Sequence, residues 1–209
     1  MRFYDCKTAP SPRRVRVFLA EKGLEIETVE IDLASGQHLT DEFAAINPDL
    51  VVPVLQLDDG SYLSEVVAIC QYLEELHPEP ALLGSTPEER ARVSMWNAKV
   101  EQLGLIAVME ALRNFAKGFR GRAIAGARNY EQIPELAERG RQRIFDFFAR
   151  LDSHLADNAW LAGDNYSMAD ITALVFVEFA KWVKADIPEE CVNLRRWYDD
   201  VSQRPASAV

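Results

Sequence analysis

The chain has 209 residues, 48% hydrophobic and 27% charged, which is room for one large domain or two small ones around a real core. With 33 Asp+Glu against 23 Lys+Arg the formal charge is −10 at pH 7, a field that repels phosphate backbones and anionic membranes and so argues against nucleic acid as a partner. Three widely spaced cysteines, Cys6, Cys70 and Cys191, form no CxxC or metal-type cluster. With no signal peptide ahead of Phe3, the expectation is a reducing, cytoplasmic compartment, no bound metal and no membrane insertion. The longest apolar runs, such as Ile171 to Val177, fall far short of the roughly 20 residues a membrane span needs.

The first eighty residues alternate strand and helix signals. Arg2 to Cys6 is a short aromatic-bearing strand. Ser11 to Gly23 reads as a complete helix: Ser11 caps it, Pro12 suits its first turn, Val15, Phe18 and Leu19 share a face, and Gly23 ends it. Glu25 to Leu33 alternates Val29, Ile31 and Leu33 at a period of two, as a half-exposed edge strand does. Thr40 to Ile46 is a short helix. Val51 to Leu57 and Ser61 to Leu63 flank Asp58-Asp59-Gly60, a hairpin signal. Ser64 then caps a helix running to Leu76, halted by His77-Pro78. A proline inside the strand candidate deletes a ladder donor, and a cis Val52-Pro53 bond where the backbone faces a ligand would explain it.

From His77 to Pro87 the composition shifts to Pro, Gly, Ser and Thr, the mark of a linker. Beyond it everything reads as helix. Thr86-Pro87-Glu88-Glu89 is a capping box opening a long helix through about Phe115. Glu135 to Leu155 is another, with Ile144, Phe147, Phe148, Leu151 and Leu155 on or near one stripe. Ser167-Met168-Ala169-Asp170 opens an apolar helix to about Lys184, and Asn193 to Ser202 forms a last one. Ser167 and Asp170, spaced i, i+3, read as a reciprocal cap on a core helix and not as catalytic groups. The stripe Trp96, Leu103, Ala107, Glu110, Leu112 and Phe115 reads as core.

Four segments together resemble the cytosolic glutathione S-transferase family, of a bacterial, serine-type-like kind. They are Arg13-Arg14-Val15-Arg16; Asn47-Pro48 with Val52-Pro53-Val54-Leu55; Ser64-Glu65 with Ala68-Ile69 and Tyr72-Leu73; and Gly163-Asp164 with Ser167-Met168-Ala169-Asp170-Ile171. The resemblance implies an α/β thioredoxin-like N-terminal domain (1–80) that binds glutathione and an all-α helical-bundle C-terminal domain (87–209), joined by a linker at 77–87. It also implies a cytoplasmic homodimer that conjugates glutathione, as co-substrate, to small apolar electrophiles in detoxification. Two alternatives stay open: a glutathione-dependent disulfide reductase or peroxidase, and a non-catalytic glutathione-binding regulatory protein.

Such chemistry needs the glutathione thiol as thiolate, and a free thiol of pKa about 8.5 is only a few per cent ionised at pH 7. Lowering that pKa by two units takes about 2.7 kcal/mol of preferential thiolate stabilisation. A hydroxyl at the positive end of the first helix could supply energy of that order. Counting back from Arg16, the position of the relatives' activating hydroxyl falls on Ala9, so the available hydroxyls are Ser11, read equally as a plain helix cap, and Thr8. Cys6 as a mixed-disulfide nucleophile lacks a resolving partner nearby.

By the same resemblance, the main chain of Val52 before cis Pro53 pairs with the cysteinyl part of glutathione, a short β-augmentation. Glu65 and the Val66 amide hold the γ-glutamyl end, where relatives usually have serine in place of Val66. Gln37 and His38 lie toward the glycyl carboxylate, and Val51 replaces a residue that is often polar or basic. Phe115, Phe119 and Trp182 are candidates to line the electrophile pocket.

Overall fold

The computed structural model describes all 209 residues, and the chain divides into two compact units. The first is Met1–Pro80 together with Ile124–Asn129 and Val209. Its elements run β1 (Arg2–Asp5), α1 (Pro10–Glu21), β2 (Glu27–Glu30), α2 (Asp41–Ala44), β3 (Val54–Gln56), β4 (Tyr62–Ser64) and α3 (Val66–Leu76), with a short 3-10 turn at Gln37–Leu39 before α2. The sheet order is β2-β1-β3-β4. β1 and β2 are parallel across the α1 crossover, whereas β1–β3 and β3–β4 are antiparallel. This is the α/β thioredoxin-like arrangement, with β2 at an edge as its half-exposed alternation requires.

Side-chain alternation splits this core between the two faces of the sheet. Tyr4 and Val54 join Ile31 and Phe43 on one face. Phe3 pairs with Leu55 on the other, the face that α1 and α3 cover, with Val15, Phe18, Ile69 and Leu73 all buried. Lys22, at the end of α1, is buried yet fully served: its Nζ donates to the carbonyls of His77 and Pro80, each at 2.7 Å, and lies 2.6 Å from Glu74 Oε2. The lysine therefore closes the C-terminal end of α3, whose last carbonyls have no helical partner of their own.

The second unit comprises Ala81–Ala123 and Tyr130–Ala208 and is all helical. It contains α4 (Pro87–Lys99), α5 (Ile106–Arg113), α6 (Pro134–Leu155), α7 (Met168–Ala180) and α8 (Val192–Ser202). The Thr86–Glu89 capping box opens α4. A π-helical stretch, Val100–Leu105, joins α4 to α5 without leaving helical dihedrals. Gly104 lies in that stretch, and a β-carbon there would sit 2.9 Å from the Phe176 ring and 3.2 Å from Phe147, so the missing side chain lets α7 approach. No helix is long and apolar enough to cross a membrane.

α7 is buried almost all round, and Asp170 in its first turn is 0% exposed. Its Oδ2 accepts from Ser167 N and Oγ, each at 3.1 Å, while Oδ1 accepts from Leu161 N at 3.0 Å and Trp197 Nε1 at 2.9 Å. One carboxylate thus ties the α7 start to the 161 loop and to α8, a structural role and not a catalytic one.

Several element ends differ from the sequence expectation. α1 begins at Pro10 with Ala9 as its cap, so Ser11 is the second helical residue and caps nothing. Ser64 completes β4 opposite Val54, leaving Glu65 as the cap of α3. β3 starts only at Val54. The long helix ends at Arg113, so Phe115 is 81% exposed and outside the core; Leu103 and Leu112 are half-buried. The buried face instead follows Val93, Trp96, Val100, Gly104, Ala107 and Ala111. α7 ends at Ala180, and a 3-10 turn, Lys181–Val183, follows it.

Candidate functional site: one end of the sheet

Register gathers the site. Tyr4 pairs with Val54 and Val54 with Ser64. Two residues further along, Cys6 leaving β1, Val52 entering β3 and Val66 leaving β4 are therefore level with one another. β2 ends at the same edge, since Asp5 pairs with Glu30. Two helix starts and one open strand approach thus share this end of the sheet.

The loop from β1 to α1 is a tight turn in which Ala9 N donates to Cys6 O at 2.9 Å. Arg16, nearly two helical turns into α1, holds it in place. Its Nη1 donates to Asp5 Oδ1 at 2.6 Å and to Cys6 O at 3.3 Å, and its Nη2 to Lys7 O at 3.0 Å. Burial pushes the Asp5 carboxyl above its usual range, and the Arg16 charge and hydrogen bond pull it back. The geometry shows Arg16 acting as the loop's anchor, a role the sequence reading did not give it, because nothing in a linear pattern tells a part-buried, hydrogen-bonded arginine from a solvated one.

The start of α1 is unusual in its donors. Pro10 and Pro12 carry no N–H, and Arg13 N already donates to Ala9 O at 3.3 Å. Of the first turn's amides only that of Ser11 is left open, and the half-buried Ser11 hydroxyl makes no hydrogen bond within the chain. Both donors of one residue therefore lie at the positive end of the helix. Thr8 is exposed at the turn, with Oγ1 3.4 Å from the buried Cys6 Sγ.

Val52-Pro53 is cis, as expected. The main-chain N–H and C=O of half-buried Val52 meet no partner within the chain, because the β1–β3 ladder begins at Val54. Asn47 builds the approach: its Nδ2 donates to Val51 O at 2.9 Å, and its Oδ1 accepts from Asp49 N at 3.1 Å. That second bond is an Asx turn, the signal in Asn47-Pro48 that could have assigned this residue its part.

At the start of α3 no side chain caps the helix, so its first amides face the sheet end open. The Val66 side chain is buried, which leaves only its main chain for a ligand. Glu65 is exposed and sits at φ 68°, ψ 126°, a backbone region costly for any residue with a β-carbon. Gln37 is half committed: its Oε1 accepts from Asp32 N at 2.8 Å and braces the 32–37 turn, while its Nε2 makes no bond within the chain. His38 is half-buried in the 3-10 turn. Phe119, Phe115 and Trp182 belong to the second unit, Phe119 under the Arg113 guanidinium at 4.4 Å and Trp182 56% exposed beside Phe179.

Residues 3–81 match the family model described as glutathione S-transferase, N-terminal domain, and residues 134–200 match glutathione S-transferase, C-terminal domain. Glutathione S-transferase 2 of Saccharomyces cerevisiae is 37% identical over 208 residues, 99% of this chain and 87% of that protein. The chain belongs to the glutathione S-transferase family. A structure of a glutathione S-transferase domain-containing protein from Marinobacter aquaeolei VT8 superposes on this transferase with a TM-score of 0.92 at 36% identity, covering 99% of this chain and all of that one. A maleylacetoacetate isomerase of Pseudomonas aeruginosa is 31% identical over 82% of the chain and 77% of its own length. Within this family frame, the transferase's first unit supplies the site's open main-chain groups and its two uncapped helix starts.

Proposed function

We propose that the chain binds glutathione across this end of the sheet and conjugates it, as thiolate, to small apolar electrophiles. The open main chain of Val52 pairs with the cysteinyl unit, the first amides of α3 with Glu65 receive the γ-glutamyl end, and Gln37 Nε2 and His38 face the glycyl carboxylate. The observation that carries the reading is the pair of open donors on Ser11, N–H and hydroxyl together, at a helix start stripped of other donors by Pro10 and Pro12. They stabilise sulfur as an anion. The thiol proton passes to water, sulfur bonds to the electrophilic carbon, and the leaving group departs with its electron pair. Thr8 is the second hydroxyl, and its contact with Cys6 suits a structural thiol better than a redox one. Phe115, Phe119 and Trp182 border the electrophile. We place the domain boundary in 77–87 and the protein in the cytoplasm, where conjugation serves detoxification.

Glu65 gives a test with two opposite signs. Glu65→Gly removes the β-carbon from a positive-φ position, so the denaturant midpoint should rise by the equivalent of about 1 kcal/mol, offset slightly by the lost helix-start charge. The same change should weaken glutathione binding in a calorimetric titration. Unchanged affinity would remove Glu65 from the site. The proposed two-fold homodimer predicts sedimentation at twice the chain mass at micromolar concentration, and the monomer mass throughout that range would refute it.

A further inference from the structure

The first unit is poor in cations on one side of its site. All its Lys and Arg residues except Arg128 lie within residues 1–22, and the whole stretch from 23 to 89 holds none. That stretch carries Gln37, His38 and the Asn47–Pro53 approach to β3, together with Asp41, Glu42 and Asp49. Most cations of the first 22 residues are committed elsewhere: Arg2 to Glu27, Arg16 to Asp5, Lys22 to Glu74 and Arg13 Nε to Val209 O, while Arg14 is buried. Lys7, exposed on the β1–α1 turn, is the exception.

A second stretch of chain belongs to this unit. Ile124–Asn129 groups with Met1–Pro80, apart from the residues on either side of it. Its sequence sets one long cation, Arg128, beside the small residues Ala125, Gly126 and Ala127. Gly126, at φ 127°, brings the segment close in: a β-carbon there would lie 3.7 Å from Asp49 O. Asp49 is two residues before Val51, and Arg128 two residues after Gly126, so each step spans at most about 7 Å of chain. The path from Arg128 to the Val51 side of the site is therefore short.

Arg128 is exposed and makes no hydrogen bond or ion pair. The acids nearest to it along the chain and across this contact, Glu131 and Asp49, are exposed too, and neither is paired with it. The Glu131 carboxylate lies instead against Gly121, 3.8 Å from where a β-carbon there would sit.

We propose that Arg128 receives the glycyl carboxylate of glutathione, supplying the charge that apolar Val51 does not. The proposal rests on the reading that glutathione binds with its glycyl end toward Gln37 and His38. A guanidinium meets a carboxylate in a charge-assisted, two-pronged contact. In a chain of net charge −10, one local cation also offsets a field that repels a peptide bearing two carboxylates. The segment's part is specificity: it distinguishes a thiol peptide with a free C-terminal carboxylate from one without.

Calorimetry with glutathione and with its glycyl amide, γ-glutamylcysteinylglycinamide, reads this contact directly. The parent should bind glutathione about five-fold more tightly than the amide, the upper end of what an exposed charge pair gives. R128Q should weaken glutathione by about that factor, leave the amide nearly unchanged and so close the gap, and R128K should restore part of it. Raising ionic strength should narrow the gap in the parent. K7Q removes the first unit's other uncommitted cation and should leave the gap in place. A parent that does not tell the two peptides apart, a gap that survives R128Q, or a gap that K7Q closes overturns the Arg128 contact while glutathione binding stands. A parent that binds neither peptide strikes instead at the glutathione reading itself.

Discussion

Replacing Asp170 with alanine is expected to lower stability by about 3 to 5 kcal/mol, because four donors, the amides of Leu161 and Ser167, the Ser167 hydroxyl and the Trp197 indole, lose one shared acceptor in a dry site. Against a total of about 5 to 15 kcal/mol for a folded domain, that leaves little. Whatever Asp170→Ala protein folds should bind glutathione with nearly parental affinity, since Asp170 and the sheet-end site belong to different units. Urea midpoints beside calorimetric titration check both halves of the statement. A variant that is stable but binds poorly would contradict it.

The same carboxyl carries a pH signature. Burial pushes it up to about 6 from the ordinary carboxyl value of 3.8, with the four donors pulling the other way. Between those two values the folded chain keeps a proton that the unfolded chain has lost, so this group removes stability as pH rises through the window and adds no further slope above it. Asp170→Asn abolishes the titration. The difference in urea midpoint between parent and Asp170→Asn should therefore change steadily from about pH 4 to pH 6 and level off beyond.

Ser11→Ala should raise the pKa of bound glutathione's thiol by about one unit or more, because a hydrogen bond to a charged group is worth roughly 1.5 to 3 kcal/mol. Part of the activation should persist, since the Ser11 amide and the helix dipole survive the change. Stability should hardly move, for the structure places Ser11 inside the first turn and makes Ala9 the cap. A cap's loss would instead cost about 1 kcal/mol. Thiolate absorbance against pH, run beside a denaturant midpoint, separates the two roles. Thr8→Ala and Cys6→Ala in parallel should leave the bound pKa close to the parent's, and a flat pKa across all three variants would leave main-chain amides as the activator.

Most of the fold was legible because local and global signals agree. The Thr86–Glu89 box, the Asp-Gly hairpin and the Ser167–Asp170 pair each obey one local rule that tertiary packing also favours. The cis bond was legible where a resemblance met a geometric oddity, at Val52-Pro53. Element ends were misread where two local rules competed. Ala9-Pro10-Ser11-Pro12 offers both a hydroxyl for a cap and a proline for a first turn, and the Cys6–Ala9 turn decides for Pro10. Ser64 has capping chemistry, yet its pairing with Val54 spends it on β4. Phe115 continued an apolar period, but the π stretch at Val100–Leu105 turned the buried face, and the helix ended two residues earlier. Arg16 and Asn47 were not seen as builders of the sheet end, because burial and pairing of polar groups are three-dimensional properties that spacing does not encode.

A crystal structure of the chain with glutathione bound bears most directly on how the sheet end works. The expected result is sulfur within hydrogen-bond reach of both the Ser11 amide and its hydroxyl, with the Val52 main chain paired to the cysteinyl unit and the γ-glutamyl carboxylate on the first amides of α3. Sulfur lodged instead against Cys6 or Thr8, or a peptide that leaves the Val52 main chain unpaired, would contradict it.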